Sequence, residues 1–148
     1  MEDNTVQYIV AVLGKELYGF EVGYIDSIIE MQAITRVPAS QKDYLGIINL
    51  RGDIIPIISL RRKFNLTDDE FTEYSRIVIV RPDPESEAVG LLVDDINEVI
   101  TINKTDIDTF SYDEDDAGSR YNTGVGKHKG YLINLLNIPR IVIDEQVS

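Results

Sequence analysis

A mainly β architecture, either one barrel or paired barrels, is what this sequence predicts, and three observations predict it. Short runs rich in Val, Ile, Leu and Tyr recur at near-regular intervals along the 148 residues. Between them lie only brief helical patterns and turn signals. The apolar density peaks in Gly46 to Leu50 and Ile54 to Leu60, two β-rich runs joined by Arg51-Gly52-Asp53. Many short, evenly spaced strands suit sheets that close on themselves or pack in pairs.

Each element has its own warrant. Val6 to Leu13 is almost continuously apolar, as befits a strand covered on both faces. Gly14-Lys15 permits a turn, and Leu17 to Val22 returns as the second arm of a hairpin. Ile25, Ile28 and Ile29 recur at helical spacing with Asp26, Ser27 and Glu30 between them, which predicts a short amphipathic helix. Ile34 to Val37 reads as a strand stopped by Pro38, and Ala39 to Leu45 as a helical turn or loop. Gly52 can supply the positive φ that a tight turn needs. Pro56 lacks a ladder donor, so the strand that carries it should lie at an edge or bear a bulge.

Leu60 to Phe64 predicts a helical turn and Thr67 to Ser75 an exposed loop. Strands follow at Arg76 to Arg81 and Ala88 to Val93, separated by the turn-rich Pro82 to Glu87, and again at Val99 to Ile102. Asp108 to Asn122 carries Asp113-Glu114-Asp115-Asp116 with few apolar anchors, so a mobile loop is expected there. Tyr131 to Leu136 predicts a strand, and Ile138 to Ile143 a helix or extended tail.

The composition narrows the function. Twenty-six acidic against 14 basic residues give a net charge of -12, which repels phosphate backbones and anionic lipid over about 10 Å at ordinary salt. Nucleic acid is not an expected partner. The chain has no cysteine, so thiolate metal and redox chemistry are excluded. Its acidic N-terminus does not read as a secretory signal, and no apolar run reaches the roughly 18 residues of a membrane helix. A cytoplasmic protein that reaches membranes only through partners is the expectation.

Catalytic motifs fail on their own geometry. Gly124-Val125-Gly126-Lys127 lacks both the first glycine and the hydroxyl residue of a phosphate loop, so a glycine-rich hairpin is the better reading. An EF-hand begun at Asp113 would need oxygen ligands where Ala117 and Gly124 stand. His128 is the only histidine, which leaves a triad or zinc site unsupported. No catalytic residue, metal or cofactor is expected, and enzyme activity is not.

A surface question remains, and Arg51 poses it. It interrupts the densest apolar stretch at a turn from which its side chain should project, either solvated and paired with Asp53 or serving as a binding anchor. Arginine rimmed by aliphatic surface is enriched among interface hot spots, where removal costs about 2 kcal/mol or more.

The stretch Tyr44-Leu45-Gly46-Ile47-Ile48-Asn49-Leu50-Arg51-Gly52-Asp53-Ile54-Ile55-Pro56-Ile57-Ile58-Ser59-Leu60-Arg61 closely resembles the hallmark segment of CheW domains. Leu17-Tyr18-Gly19, Thr35-Arg36-Val37-Pro38, Gly90-Leu91-Leu92-Val93-Asp94 with Glu98-Val99, and Gly130 to Leu136 extend the resemblance over almost the whole chain. It implies two intertwined SH3-like five-stranded β-barrels with a few short helices, subdomain 1 at roughly 15–81 and subdomain 2 at roughly 6–14 plus 82–148. It also implies a non-catalytic scaffold that couples the cytoplasmic tips of chemoreceptors to the regulatory domain of the histidine kinase CheA.

By position, Gly46, Asn49, Leu50, Arg51 and Gly52 fall where the family contacts or supports receptor, and Ile25 and Ile28 on the helix used for kinase or receptor binding. Ser27, Ser59 and Asn137 each stand where an acidic residue is common, which bears on partner choice at Ser27 and on capping at the other two. Two alternatives stand beside the chemotaxis adaptor: a CheW-like scaffold of a non-flagellar array, and a small ligand- or metal-binding barrel using the acidic loop.

Overall fold

The structure is a computed structural model, and it describes residues 4–36, 42–109 and 120–146. Among the described residues eleven strands run as β1 (Thr5–Leu13), β2 (Glu16–Glu21), β3 (Ile25–Glu30), β4 (Tyr44–Leu50), β5 (Asp53–Ser59), β6 (Arg76–Val80), β7 (Val89–Val93), β8 (Asp95–Asn103), β9 (Ile107–Thr109), β10 (Asn122–His128) and β11 (Tyr131–Leu136). Helix α1 (Leu60–Lys63) follows β5, and helix α2 (Ile138–Gln146) follows β11. The strands form a five-stranded sheet, β3-β6-β7-β5-β4, and a six-stranded sheet, β8-β1-β2-β11-β10-β9. The expected mainly β fold with few, short helices is what the chain adopts.

The two sheets repeat one plan. In each, a two-residue turn joins an antiparallel hairpin, β4–β5 in one and β10–β11 in the other, and a parallel strand flanks its second arm, β7 beside β5 and β2 beside β11. Each hairpin carries a register shift near its start, at Tyr44/Gly46 and at Asn122/Gly124. Gly46 and Gly124 occupy matching places: a Cβ on Gly46 would collide with the Thr35 carbonyl, and one on Gly124 would lie 2.5 Å from the Asp108 carbonyl. Gly124 and Gly126 are therefore packing residues in the first arm of the expected glycine-rich hairpin, whose turn is Lys129-Gly130.

Three apolar clusters hold this frame. One fills the five-stranded sheet, with Ile48, Ile57, Ile77, Ile79 and Leu92. Its counterpart in the six-stranded sheet gathers Tyr8, Val10, Ile100, Ile102, Ile133 and Leu135. The largest lies between them and draws Phe20, Leu60, Val78, Leu91, Ile138 and Val142 from both sheets and both helices. Burial of such side chains stabilises by about 1.5–3 kcal/mol each, so the shared cluster binds the halves into one body.

Ile25 to Ile29 is strand β3, preceded by a 3-10 turn at Val22–Tyr24, and not a helix. A register shift between Ile25 and Ser27 adds one residue, so Ile25 and Ile28 fall on the same face, opposite Val80 and Val78. A bulged strand thus reproduces helical spacing. Sheet membership changes at Val22–Tyr24 and at Asp94. β2 is hydrogen-bonded to β1 and β11, and β7 to β6 and β5, because Gly19 and Gly90 let the parallel neighbours approach closely.

The other segments are as follows. Within Ile34 to Arg36, Thr35 makes one isolated bridge to Ile47, and Val37, the last residue of the expected strand, lies outside the described residues. β5 is not an edge strand, yet Pro56 loses no ladder bond. Ile47, which faces it, directs both its N–H and its carbonyl to Thr35, so the Pro56 nitrogen points toward the β7 side, where pairing begins only at Ile57. Of the loop expected over Asp108 to Asn122, Asp108 and Thr109 belong to β9 and Asn122 begins β10, while residues 110–119, with the acidic run Asp113 to Asp116, lie outside the described residues.

Candidate docking site

The β4–β5 turn is built by Arg51 at φ 54 and Gly52 at φ 88, between the paired residues Leu50 and Asp53. Positive φ at both central positions is the turn whose twist matches a β-hairpin, and it costs a non-glycine residue about 1–2 kcal/mol. Asn49 helps hold it: its Oδ1 accepts the Gly52 N–H at 3.0 Å. The turn places Arg51 at the tip, exposed, with no hydrogen-bond or ion-pair partner among the described residues; no ion pair to Asp53 forms.

Arg51 stands at the rim of a groove of about 700 Å³. Leu50, Ile54 and Pro56 supply apolar wall from the hairpin, and Asp26 and Ser27 reach it from β3. Since β3 and β4 are the two edges of the five-stranded sheet, that sheet curls until its edges share one opening. Ile54 is 60% exposed there, an aliphatic side chain offered to solvent beside the Arg51 guanidinium. On the far wall Arg81 is tied down, its Nε 4.0 Å from Asp26 Oδ1 and its Nη1 donating to the Ser86 carbonyl at 2.8 Å. Asp53 and Glu87 add negative charge to the lining.

The end of β5 behind the groove is fixed by charge. Ser59 caps α1 by accepting the Arg62 N–H at 3.1 Å, and its hydroxyl donates to Asp69 Oδ2 at 2.5 Å. Arg61 pairs with Asp94 through two contacts, 2.9 Å to Oδ1 and 2.5 Å to Oδ2, while the Gly14 N–H donates to the same carboxylate at 2.8 Å. Burial alone would raise the Asp94 pKa, but these hydrogen bonds and the Arg61 charge outweigh it and hold the carboxyl below its ordinary value. Burial dominates at Asp69 and lifts its carboxyl above the ordinary value, against the Ser59 hydrogen bond and the Arg61 charge.

The residues picked out in the sequence do not all converge. Asn49, Leu50, Arg51 and Gly52 meet at one hairpin, and Leu50 and Arg51 line the groove. Gly46 is buried in β4 against Thr35 and supports the hairpin from behind. Ile25 and Ile28 are half-buried and face the cluster between the sheets, away from the groove. Their neighbours Asp26 and Ser27 line it instead, because the β3 bulge turns them that way. Ile54 and Arg81 also line it; an aliphatic directly after a turn was the available signal for Ile54, and Arg81 had none. Among the described residues no cluster of three or more His, Asp or Glu side chains is arranged to hold a metal ion.

Comparison with known proteins agrees with this geometry. Residues 7–146 match the family described as the CheW-like domain. A "Chemotaxis protein CheW" of Bacillus subtilis is 40% identical over 142 residues, 93% of this chain and 85% of that protein. One from Helicobacter pylori is 33% identical over 143 residues, covering 95% and 85% respectively. Among solved structures, the scaffolding protein TtCheW from Thermoanaerobacter tengcongensis superposes with a TM-score of 0.80 at 28% identity, over 93% of this chain and 87% of that one.

Proposed function

The chain belongs to the CheW family, and on that premise we propose that it is a non-catalytic chemotaxis adaptor that couples methyl-accepting chemoreceptors to the histidine kinase CheA in signalling arrays. The receptor cytoplasmic tip docks at the β4–β5 groove, and the kinase joins through its regulatory domain. One observation carries the choice of groove: an exposed Arg51 guanidinium with no partner among the described residues stands beside the exposed Ile54 and the half-buried Leu50. An unpaired cation next to aliphatic wall is spare recognition capacity, and arginine so placed is a common interface anchor. Leu50 and Ile54 supply the apolar contact, Asn49 and Gly52 hold the turn, and Gly46 holds the strand. Ile25 and Ile28 act from the shared core by fixing β3, which carries Asp26 and Ser27 to the groove.

No helix among the described residues is long and apolar enough to cross a membrane. Under the proposed role the protein works in the cytoplasm, held at receptor arrays by its partners.

The test is Arg51→Glu. The variant should keep its circular dichroism spectrum and melting temperature but bind a receptor cytoplasmic fragment, or the CheA regulatory domain, at least about tenfold more weakly in titration calorimetry. Unchanged affinity for both partners would remove Arg51 from the interface.

A further inference from the structure

The six-stranded sheet opens in the same way as the five-stranded one, and its opening is chemically different. A second groove of about 400 Å³ is lined by Val10, Leu17 and Ile133 at its base and by Lys15, His128 and Tyr131 higher up, with Asn97 and Glu98 across it. These positions match the first groove element by element. Asn97 sits at the β8 register shift as Asp26 sits at that of β3, and Glu98 follows as Ser27 does. His128 and Tyr131 close the β10–β11 hairpin as Leu50 and Asp53 close β4–β5. Lys129 takes the place of Arg51, at φ 50 before Gly130 at φ 82.

Charge separates the two openings. The first is lined by Asp26, Asp53 and Glu87 against Arg51 and Arg81. The second is lined by Glu98 against Lys15, with Lys129 at the tip between the lining residues His128 and Tyr131. Glu16, the nearby acid, is engaged by the Asn134 side-chain amide at 3.0 Å. On a chain of net charge -12, cations gathered on two neighbouring turns mark one place where an acidic partner is not repelled. The surface is also greasy: Tyr131 and Leu132 are 65% and 64% exposed directly after the turn.

We propose that the β10–β11 groove is a second docking site, for an acidic polypeptide segment that sets an apolar side chain against Leu17 and Ile133 and carboxylates against Lys15 and Lys129. It is independent of the Arg51 groove, so one copy of the protein engages two different partners through equivalent openings of its two sheets.

The probe is a short fluorescent amphipathic peptide of Glu and Leu, followed by anisotropy with the full chain. Saturable binding is expected, weakened by salt, lost about tenfold or more in the Lys15→Glu, Lys129→Asp double variant, and retained in Arg51→Glu. Aspartate is chosen at 129 because it tolerates positive φ. Amide chemical shifts on the unmodified protein give a readout free of any folding defect, with movement expected at Leu17, His128 and Ile133. Absence of binding, equal binding of a Lys and Leu analogue, shifts centred on Arg51, or self-association in place of peptide binding would each overturn the proposal.

Discussion

The two hairpins at the openings of the sheets share a backbone and differ in nearly every exposed side chain. Arg51-Gly52 and Lys129-Gly130 have the same positive φ pattern, and the strands behind them have the same bulge, the same packing glycine and the same parallel neighbour. The helices that follow are capped alike, by Ser59 on the Arg62 N–H and by Asn137 on the Arg140 N–H, each at 3.1 Å. Behind these likenesses the halves are anchored by different forces. α1 is held by the ion pairs Arg61–Asp94, Arg62–Asp68 and the buried Lys63–Asp43, whereas α2 sinks Ile138, Ile141 and Val142 into the shared cluster. The difference teaches that the repeat fixes where partners can dock, while the few side chains at each tip decide what docks.

The largest effects should fall where the two halves are alike. Gly46→Ala would force a Cβ into the Thr35 carbonyl at a φ of 151 and should cost about 2–4 kcal/mol, read as a lower urea midpoint at constant slope. Gly124→Ala meets the same obstacle without the unfavourable φ and should cost about 1–3 kcal/mol. A reversed order would break the equivalence.

Next comes a feature that only one half possesses. Asp94→Asn removes the charge that joins α1 to the β1–β2 turn and should cost about 1–3 kcal/mol at neutral pH. Because its folded pKa lies below the ordinary 3.8, the contribution of Asp94 is complete above that value and disappears as pH falls through the folded one. Wild type and variant should therefore converge in acid. Asp69 works in the opposite sense: its folded pKa is raised, so the native state takes up that proton first and gains relative stability as pH falls.

The smallest effect should be at the tips. Arg51→Asn and Lys129→Asn each relieve a positive φ and should raise stability by a few tenths to about 1 kcal/mol. At Arg51 the same change should weaken partner binding, so stability and function move in opposite directions.

Much of this was legible in the sequence, for identifiable reasons. The β4–β5 hairpin could be read because two apolar runs flank an Arg-Gly pair, and α1 because Ser59 precedes a basic helical turn. β3 imitates a helix in the sequence because a bulge at Asp26 puts Ile25 and Ile28 on one face at helical spacing. The role of Gly124 and Gly126 was hidden because glycine marks a turn locally but a close approach only through contacts distant in sequence, here Asp108 and Ile102. The groove itself was half visible. Leu50 and Arg51 announce themselves within one motif, but Asp26 and Arg81 join it only when the sheet curls.

The most direct test of the docking claim is reconstitution with CheA and a receptor cytoplasmic fragment, following kinase autophosphorylation with wild type, Arg51→Glu or no added chain. Strong receptor-dependent stimulation by the wild type, and a rate near the no-protein control with Arg51→Glu, is the predicted result. Full stimulation by the Arg51→Glu variant would contradict it.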